Sequence, residues 1–272
     1  MKHGSAQPSR TTLQEPLVND APSTGKDSLD RATTDESDVP PGTGRLLSGT
    51  GFDNDTGEAD PNLSAALADG WDEVALLAAL ANARLLVPVV AAPASGNPSE
   101  LKSPRSADMA VVTLTSPDGQ RALPVFTSVT ALLAWDPTAR PSPVTSARAA
   151  QAAVAERCDV LLIDVGSLHP RVLRPSMVWA LAQQREWHPA HTDPFVAQTL
   201  TRATADEADV IGCFCEEGDP AGAGILRVVL SLRPGLDPAQ VQALATRVGE
   251  RIATDGEARA RIDGLAFAIR QA

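Results

Sequence analysis

One segment near the middle of the chain, residues 121–135 with the sequence RALPVFTSVTALLAW, constrains the fold more than any other. Its first half is apolar and partly β-branched, which predicts a short strand, but Pro124 lacks the N–H group that a strand ladder uses. We therefore expect this strand to lie at a sheet edge or to begin its pairing after the proline. Thr127 or Ser128 can cap a helix whose apolar residues recur every three or four positions, and the proline after Asp136 ends that helix.

Further strands and helices alternate on both sides of this segment. Apolar runs at residues 84–92, 106–116 and 158–165 have the length and composition of strands. Periodic apolar positions between them predict amphipathic helices. From about residue 192 the predicted order is helix, strand, strand, helix, strand. This pattern predicts an α/β (α+β) fold with two small mixed-sheet domains and helices packed on the sheets.

Three regions are expected along the chain. Residues 1–49 are rich in Ser, Thr, Pro, Gly and Asp and have no periodic apolar pattern. Such a segment buries too little apolar surface to offset the entropy of ordering, so we predict a disordered acidic tail. Residues 50–191 are expected to form the first domain and residues 192–272 the second. The helix that opens at Pro175 is expected to end near Trp187, close to this boundary.

Charge and cysteine content limit the possible partners and compartment. The formal net charge is -11 at pH 7. This charge argues against nucleic acid or an anionic membrane as the main partner, because both require a basic surface. The chain has three cysteines and no apolar run near 20 residues in length, and we expect a reduced, cytoplasmic protein.

Cys213 and Cys215, together with His188 and His191, are four possible zinc ligands. Residues two apart on a strand share one face, so we interpret the thiols as small buried core groups. The sequence has no G-x-G-x-x-G, Walker loop or H-E-x-x-H motif. We therefore predict no metal site, no cofactor and no catalytic residues.

Two groups of side chains are candidates for binding. Asp164 ends a predicted buried strand, near the position at which α/β proteins bind ligands, although a cap or turn role would also explain it. Three tryptophans lie near predicted helix ends, and two arginines could form a polar rim around them. Because tryptophan is enriched at binding hot spots, we expect a patch on the surface, with core packing as the alternative. The patch would comprise Trp135, Arg140, Trp179, Arg185 and Trp187.

Several longer segments resemble one protein family. They are ADMAVVTLTSPDGQRALPVFTSVTALLAWDPTARPSPV, CDVLLIDV, FDNDTGEADP, ARLLVPVV and VWALAQQREWHPAHTDP. The sequence resembles the SseB family, also called enhanced serine sensitivity proteins, in its actinobacterial form. The resemblance covers roughly residues 50–272 and implies an SseB N-terminal domain followed by an SseB C-terminal domain. The family has no established catalytic residues that could be assigned to positions in this chain.

The sequence thus leads to two hypotheses for the function. The first is a non-catalytic, cytoplasmic protein-interaction or regulatory module whose partner is another protein, not nucleic acid or a membrane. The alternative is an enzyme or a small-metabolite-binding protein with a site near Asp164. Only the family name connects this alternative with serine or sulfur metabolism.

Overall fold

The structure is a computed structural model that describes residues 8–12, 52, 55–69, 72–91, 109–168 and 170–271. Strands and helices alternate along this part of the chain. The strands are β1 (Pro8–Thr12), β2 (Arg84–Ala91), β3 (Met109–Thr115), β4 (Arg121–Val125), β5 (Arg140–Thr145), β6 (Val160–Ile163), β7 (Arg171–Leu173), β8 (Val210–Glu217), β9 (Ile225–Leu232) and β10 (Gly264–Gln271). The helices are α1 (Pro61–Asp69), α2 (Glu73–Asn82), α3 (Val129–Trp135), α4 (Ser146–Ala155), α5 (Pro175–Ala182), α6 (Pro194–Thr204), α7 (Pro238–Thr254) and α8 (Gly256–Arg261).

The first sheet is mixed and has seven strands. Its order is β5-β2-β3-β4-β6-β7, and β1 pairs with β3 outside this path. β4 and β6 are parallel, whereas the other pairs are antiparallel. A further bridge joins Leu86 of β2 to Phe126, directly after β4, so the sheet curls.

The strand of the central segment, β4, lies inside this sheet between β3 and β6, and its pairing begins before Pro124. Both predicted alternatives, an edge position and pairing that begins after the proline, were therefore wrong. Pairing with β3 involves only Arg121 and Ala122 and therefore stops before Pro124. On the other side, the carbonyl groups of Arg121 and Val125 accept hydrogen bonds from the N–H groups that flank β6. Successive residues of a strand point their backbone groups to opposite sides. The nitrogen of Pro124 therefore faces the side of β3, where the hydrogen bonds between β3 and β4 have already ended. The predicted helix follows, and the Ser128 hydroxyl caps it by accepting a hydrogen bond from Ala131.

Apolar residues cover both faces of the first sheet. Leu85 and Val87 of β2 face α1, α2, α4 and α5, whereas Leu86 between them belongs to a second cluster with Phe126. This alternation is the period of two that a strand covered on both sides requires. The second cluster is completed by Leu132 of α3, which lies on the opposite face from the other helices. The two clusters fix the end of β4 and the start of α3 between them.

The second sheet has three strands in the order β10-β9-β8. β9 is parallel to β10 and antiparallel to β8. Alternate residues of β9 pack against α6, α7 and α8, which places these three helices on one face of the sheet. On the opposite face, Phe214 is 54% exposed and Glu216 forms ion pairs with Arg227 and Arg270. The second sheet is therefore covered by helices on one side.

The predicted α+β class with two mixed sheets is confirmed by this architecture. α5 ends at Ala182, before the predicted end near Trp187, because Gln184 adopts a left-handed φ of 54° and Arg185 N–H donates to the Ala180 carbonyl. The strand β7 and the helix α8 were not predicted. The boundary proposed at residues 191 and 192 falls between α5 and α6, and the domain bounds stay a prediction.

The predicted disordered tail lies outside the described residues, apart from Pro8–Thr12, which form β1. In the part of the chain that the structure describes, no helix is both long and apolar enough to cross a bilayer.

Candidate functional site

A cleft of about 450 Å³ lies between α2, the start of α4 and the chain that follows α5. Its apolar lining comes from side chains of α2 and α5 together with one tryptophan, whereas its polar lining lies largely on the segment after α5. The apolar residues include Val74, Leu77, Ala78, Ala81, Leu181 and Trp187. The polar residues include Asn82, Gln184, Arg185 and Glu186. A largely apolar cleft with a few polar groups has the character of a binding site.

Two of the predicted binding residues, Arg185 and Trp187, line this cleft. Trp187 is only 6% exposed, and its indole N–H donates a 3.1 Å hydrogen bond to the Ser176 hydroxyl. It is therefore a rigid part of the cleft wall and belongs to the main core cluster. Arg185 is half exposed and forms a 2.7 Å ion pair with Glu257 of α8. The cleft thus combines a fixed aromatic residue with a charged rim.

Trp179 lies beside the cleft, between two arginines. The guanidinium carbon of Arg185 is 5.5 Å from the centre of its ring, and that of Arg261 is 5.3 Å from it. Arg261 also holds Asp193 in a 2.8 Å ion pair. Because Asp193 caps α6, these contacts join α5 to the helices of the second sheet.

The three tryptophans do not form one patch. Trp135 lies in the other apolar cluster, with its ring centre 5.2 Å from that of Phe126. Gly166 lies against Trp135, where an added Cβ would be 3.6 Å from the indole. Arg140 is exposed at the start of β5, where it pairs with Val89 of β2. The structure therefore brings together Trp179, Arg185 and Trp187 and places Trp135 near the loop after β6.

Asp164 holds the turn at the end of β6. Its two carboxylate oxygens accept hydrogen bonds from Thr127, one from the backbone N–H at 2.9 Å and one from the hydroxyl at 2.8 Å. The residue itself has a left-handed φ of 49°. These bonds tie the end of β6 to the start of α3, which is the turn role that the sequence left open. A ligand role for Asp164 stays a prediction.

A polar network surrounds Arg174, which the sequence analysis did not identify. Its guanidinium group contacts both carboxylate oxygens of Glu73, donates to Asp263 at 3.0 Å and donates to the Gly222 carbonyl at 2.8 Å. Asp263 also accepts 2.7 Å hydrogen bonds from the backbone and hydroxyl groups of Ser176. The network joins α2, the N-terminus of α5 and the second sheet. An arginine directly before a proline at a helix start was the only local signal, and its partners lie far away in sequence.

The three cysteines lie in or against the apolar clusters of the two sheets. Cys213 and Cys215 face the helices of the second sheet, and Cys158 is buried in the first core. Burial raises the pKa of Cys213 to about 11, with a further contribution from Cys215, and burial raises the pKa of Cys158 to about 11 as well. Both thiols therefore ionise less readily than an exposed cysteine, which makes them weaker nucleophiles.

His188 and His191 lie near the junction between the sheets. His188 Nε2 is 3.9 Å from a carboxylate oxygen of Glu186. His191 lines a cleft of about 520 Å³ that Arg171, Arg174 and Glu217 also line. Among the residues that the structure describes, no group of three or more His, Cys, Asp or Glu side chains has an arrangement that could hold a metal ion.

Comparison with known proteins relates the first sheet to a family. Residues 62–180 match the family model described as the SseB protein N-terminal domain. Neither the curated proteins nor the solved structures include a match to this chain. The matched segment runs from the start of α1 into α5 and so contains β2 to β7 and most of the cleft lining. The SseB C-terminal assignment of the second sheet stays a prediction, whereas residues 62–180 of this chain form an SseB N-terminal domain.

Proposed function

We propose that this protein is a non-catalytic interaction module that binds another protein through the cleft between α2 and α5. The observation that carries the proposal is the lining of the cleft, with apolar residues of two helices and the buried Trp187 in its wall. Arg185 and Glu186 supply charges at the rim. Protein interfaces have the same organisation, with an apolar centre that includes aromatic residues and a polar border.

The shape of the lining favours a helical segment of the partner. Val74, Ala78 and Ala81 follow one another along one side of α2, so they form a row about 10 Å long at 1.5 Å per residue. Val74 is 39% exposed although it is apolar. A row of this kind suits the apolar face of an amphipathic helix, whose anchoring residues recur at three- and four-residue intervals.

The polar groups outside the cleft support a non-catalytic role. Asp164 and Asp263 use their carboxylates to hold turns and helix ends. Cys158, Cys213 and Cys215 are free thiols, which supports a reducing compartment, and we place the protein in the cytoplasm. Asp164 and Asp263 are thus held by structural hydrogen bonds and are not free to act as an acid or base on a substrate.

A pair of substitutions on α2 tests the proposal. Ala78 and Ala75 are both exposed on this helix, but only Ala78 lines the cleft. Ala78→Glu places a charge in the apolar cleft and should reduce capture of the partner at least about tenfold, since a desolvated charge costs more than 1.4 kcal/mol. Ala75→Glu is the matched control and should capture as much as the unchanged protein.

The partner itself can be identified with a photoreactive benzoyl-phenylalanine at Ala81, which also lines the cleft. We expect this probe to cross-link one protein in cells, and we expect Ala78→Glu to abolish the cross-link. Equal capture by the Ala78→Glu and Ala75→Glu proteins would contradict the proposal. A small molecule that native mass spectrometry finds bound, and that Ala78→Glu displaces, would support the metabolite-binding alternative at this cleft.

A further inference from the structure

Strands at the ends of the two sheets differ in how they are protected from pairing with another chain. β5 carries Pro141 and Pro143, and β7 is only three residues long. β8 has an irregular register between Val210 and Gly212 and ends in two glutamates. Prolines, short length, bulges and charges are the usual means by which proteins block sheet edges. Three of the four strands that end the sheet orders are therefore blocked.

The fourth, β10, has none of these features along most of its length. It pairs with β9 over eight residues without a break in register, and β9 is its only strand partner in the described residues. Its sequence GLAFAIRQ contains no proline, and its one charge, Arg270, lies near the end. Its other side therefore presents backbone N–H and C=O groups that a further strand could use.

Apolar side chains of β10 are also incompletely covered. Phe267 packs against the helices, with its ring near Gly249 of α7. Leu265 and Ile269, two residues to either side, point to the same face but are 38% and 39% exposed. α7 thus covers the middle of the strand and leaves these two side chains open at the edge.

The strand is complementary to itself. In an antiparallel pair of two copies centred on Phe267, Leu265 of each copy lies opposite Ile269 of the other, and Ala266 lies opposite Ala268. Arg270 lies opposite Gly264, so no like charges meet, and its guanidinium group is already neutralised by Glu216 of its own chain at 2.8 Å. Opposed apolar pairs stabilise antiparallel strands, and a two-fold arrangement forms each pair twice.

From these observations we propose that β10 is a dimerisation strand whose partner is a second copy of this chain. The two three-stranded sheets join through antiparallel β10 strands into one continuous six-stranded sheet. This surface lies on the second sheet and is separate from the cleft between α2 and α5.

Light scattering coupled to size exclusion tests the proposal on the full chain. The unchanged protein should have twice the chain mass of 28.3 kDa, and the double variant Leu265→Lys/Ile269→Lys should have the mass of one chain. Ile211→Lys is the control, because Ile211 is 53% exposed on the opposite edge strand β8, and it should leave the dimer intact. A single-chain mass for the unchanged protein at the highest concentration reached would overturn the proposal. A dimer that persists in the double variant would overturn it as well.

Cysteine cross-linking gives an independent test that needs no charged residue in the sheet. In the proposed register Ala266 lies opposite Ala268 of the other copy, at a separation that a disulfide can span. The double variant Ala266→Cys/Ala268→Cys should form covalent dimers on oxidation, whereas Ala268→Cys alone should not. Absence of covalent dimers in the double variant, or equal amounts in both variants, would show that the strands do not pair in this way.

Discussion

The two sheets of this protein are stabilised in different ways. The first sheet lies between two apolar clusters, one with α1, α2, α4 and α5 and one with α3. The second sheet has an apolar cluster on the side of α6, α7 and α8, and its other side carries Phe214 and a group of charged residues. An antiparallel or mixed sheet can leave one face in water. A sheet covered on both faces requires apolar residues at successive positions of its strands, because these positions alternate between the two faces.

Ion pairs are concentrated around the second sheet and its helices. Around the second sheet, carboxylates bind arginines from neighbouring strands and helices. These pairs join Glu207 to Arg247 and Arg251, Asp193 to Arg261, and Glu216 to Arg227 and Arg270. Since apolar burial does not depend on pH and arginine–carboxylate pairs do, the two sheets should respond differently to core mutations and to acid.

The largest effect should come from Phe126→Ala in the smaller cluster of the first sheet. Phe126 is fully buried against Trp135, and truncation of a buried phenylalanine typically costs about 4 kcal/mol. Phe214→Ala on the open face of the second sheet is the matched change and should cost about 1 kcal/mol, because 54% of that residue is already exposed. Urea unfolding of both variants measures the two free energies of unfolding.

Equal losses of unfolding free energy in Phe126→Ala and Phe214→Ala would contradict the proposed difference between the two sheets. Such a result would mean that the open face of the second sheet is covered in solution, because a covered Phe214 would contribute as much as Phe126. Measurements at several protein concentrations would then separate cover by another copy from cover within the chain, since only the former depends on concentration.

A somewhat smaller effect is expected for Arg174→Ala, which removes one of the links between the two sheets. The change leaves Asp263, whose side chain is 9% exposed, without its positively charged partner. Loss of one partner from a mostly buried pair typically costs about 3 kcal/mol. Thermal unfolding should also become less cooperative, because the second sheet would then unfold before the first.

Arg174→Lys is the control for this prediction. Lysine keeps the charge but cannot contact Glu73 and Asp263 with separate nitrogen atoms in a planar arrangement, so its stability should lie between those of the other two proteins. Two-state unfolding of Arg174→Ala at an unchanged midpoint would show that the network contributes little to the contact between the sheets.

The fold could be predicted from the sequence wherever the signal was local. The order of strands and helices follows from apolar runs and turn residues, and the cap at Ser128 follows from its position before an apolar periodic segment. The position of β4 did not follow, because Pro124 excludes pairing on one side only, and the sequence does not show which side is free. The short strand β7 has three residues, too few for a periodic pattern.

The site was harder to predict than the fold. Trp187 and Arg185 were identified by residue type, and they do line the cleft. The cleft itself is formed by α2 and α5, which are about a hundred residues apart, so no local pattern indicates it. The network of Arg174 could not be predicted for the same reason, because its partners Glu73 and Asp263 are far apart in the sequence. Tertiary contacts decide such sites, and a single sequence does not specify them.

The smallest of the three effects concerns Glu207→Gln and distinguishes the sheets by pH. Glu207 accepts hydrogen bonds from Arg247 at 3.1 and 2.7 Å and is 3.0 Å from Arg251. The hydrogen bonds from Arg247 hold the pKa of Glu207 below its ordinary value of 4.5, and the charges of both arginines lower it further. The loss at neutral pH should be smaller than for Arg174→Ala, because Arg247 and Arg251 are partly exposed and water screens their charges.

The sign of the pH dependence follows from the lowered pKa. Ionised Glu207 stabilises the folded protein above about pH 4.5, and this contribution disappears as the pH falls through the lower pKa of the folded state. The difference in unfolding free energy between the unchanged protein and Glu207→Gln should therefore be largest at neutral pH and should narrow in acid. By contrast, the difference caused by Phe126→Ala should be the same at both pH values, because it arises from apolar burial. Urea unfolding of the unchanged protein, Glu207→Gln and Phe126→Ala at neutral pH and below pH 4.5 measures these differences. If the loss of unfolding free energy in Glu207→Gln were independent of pH, the residue would act through packing and not through its charge.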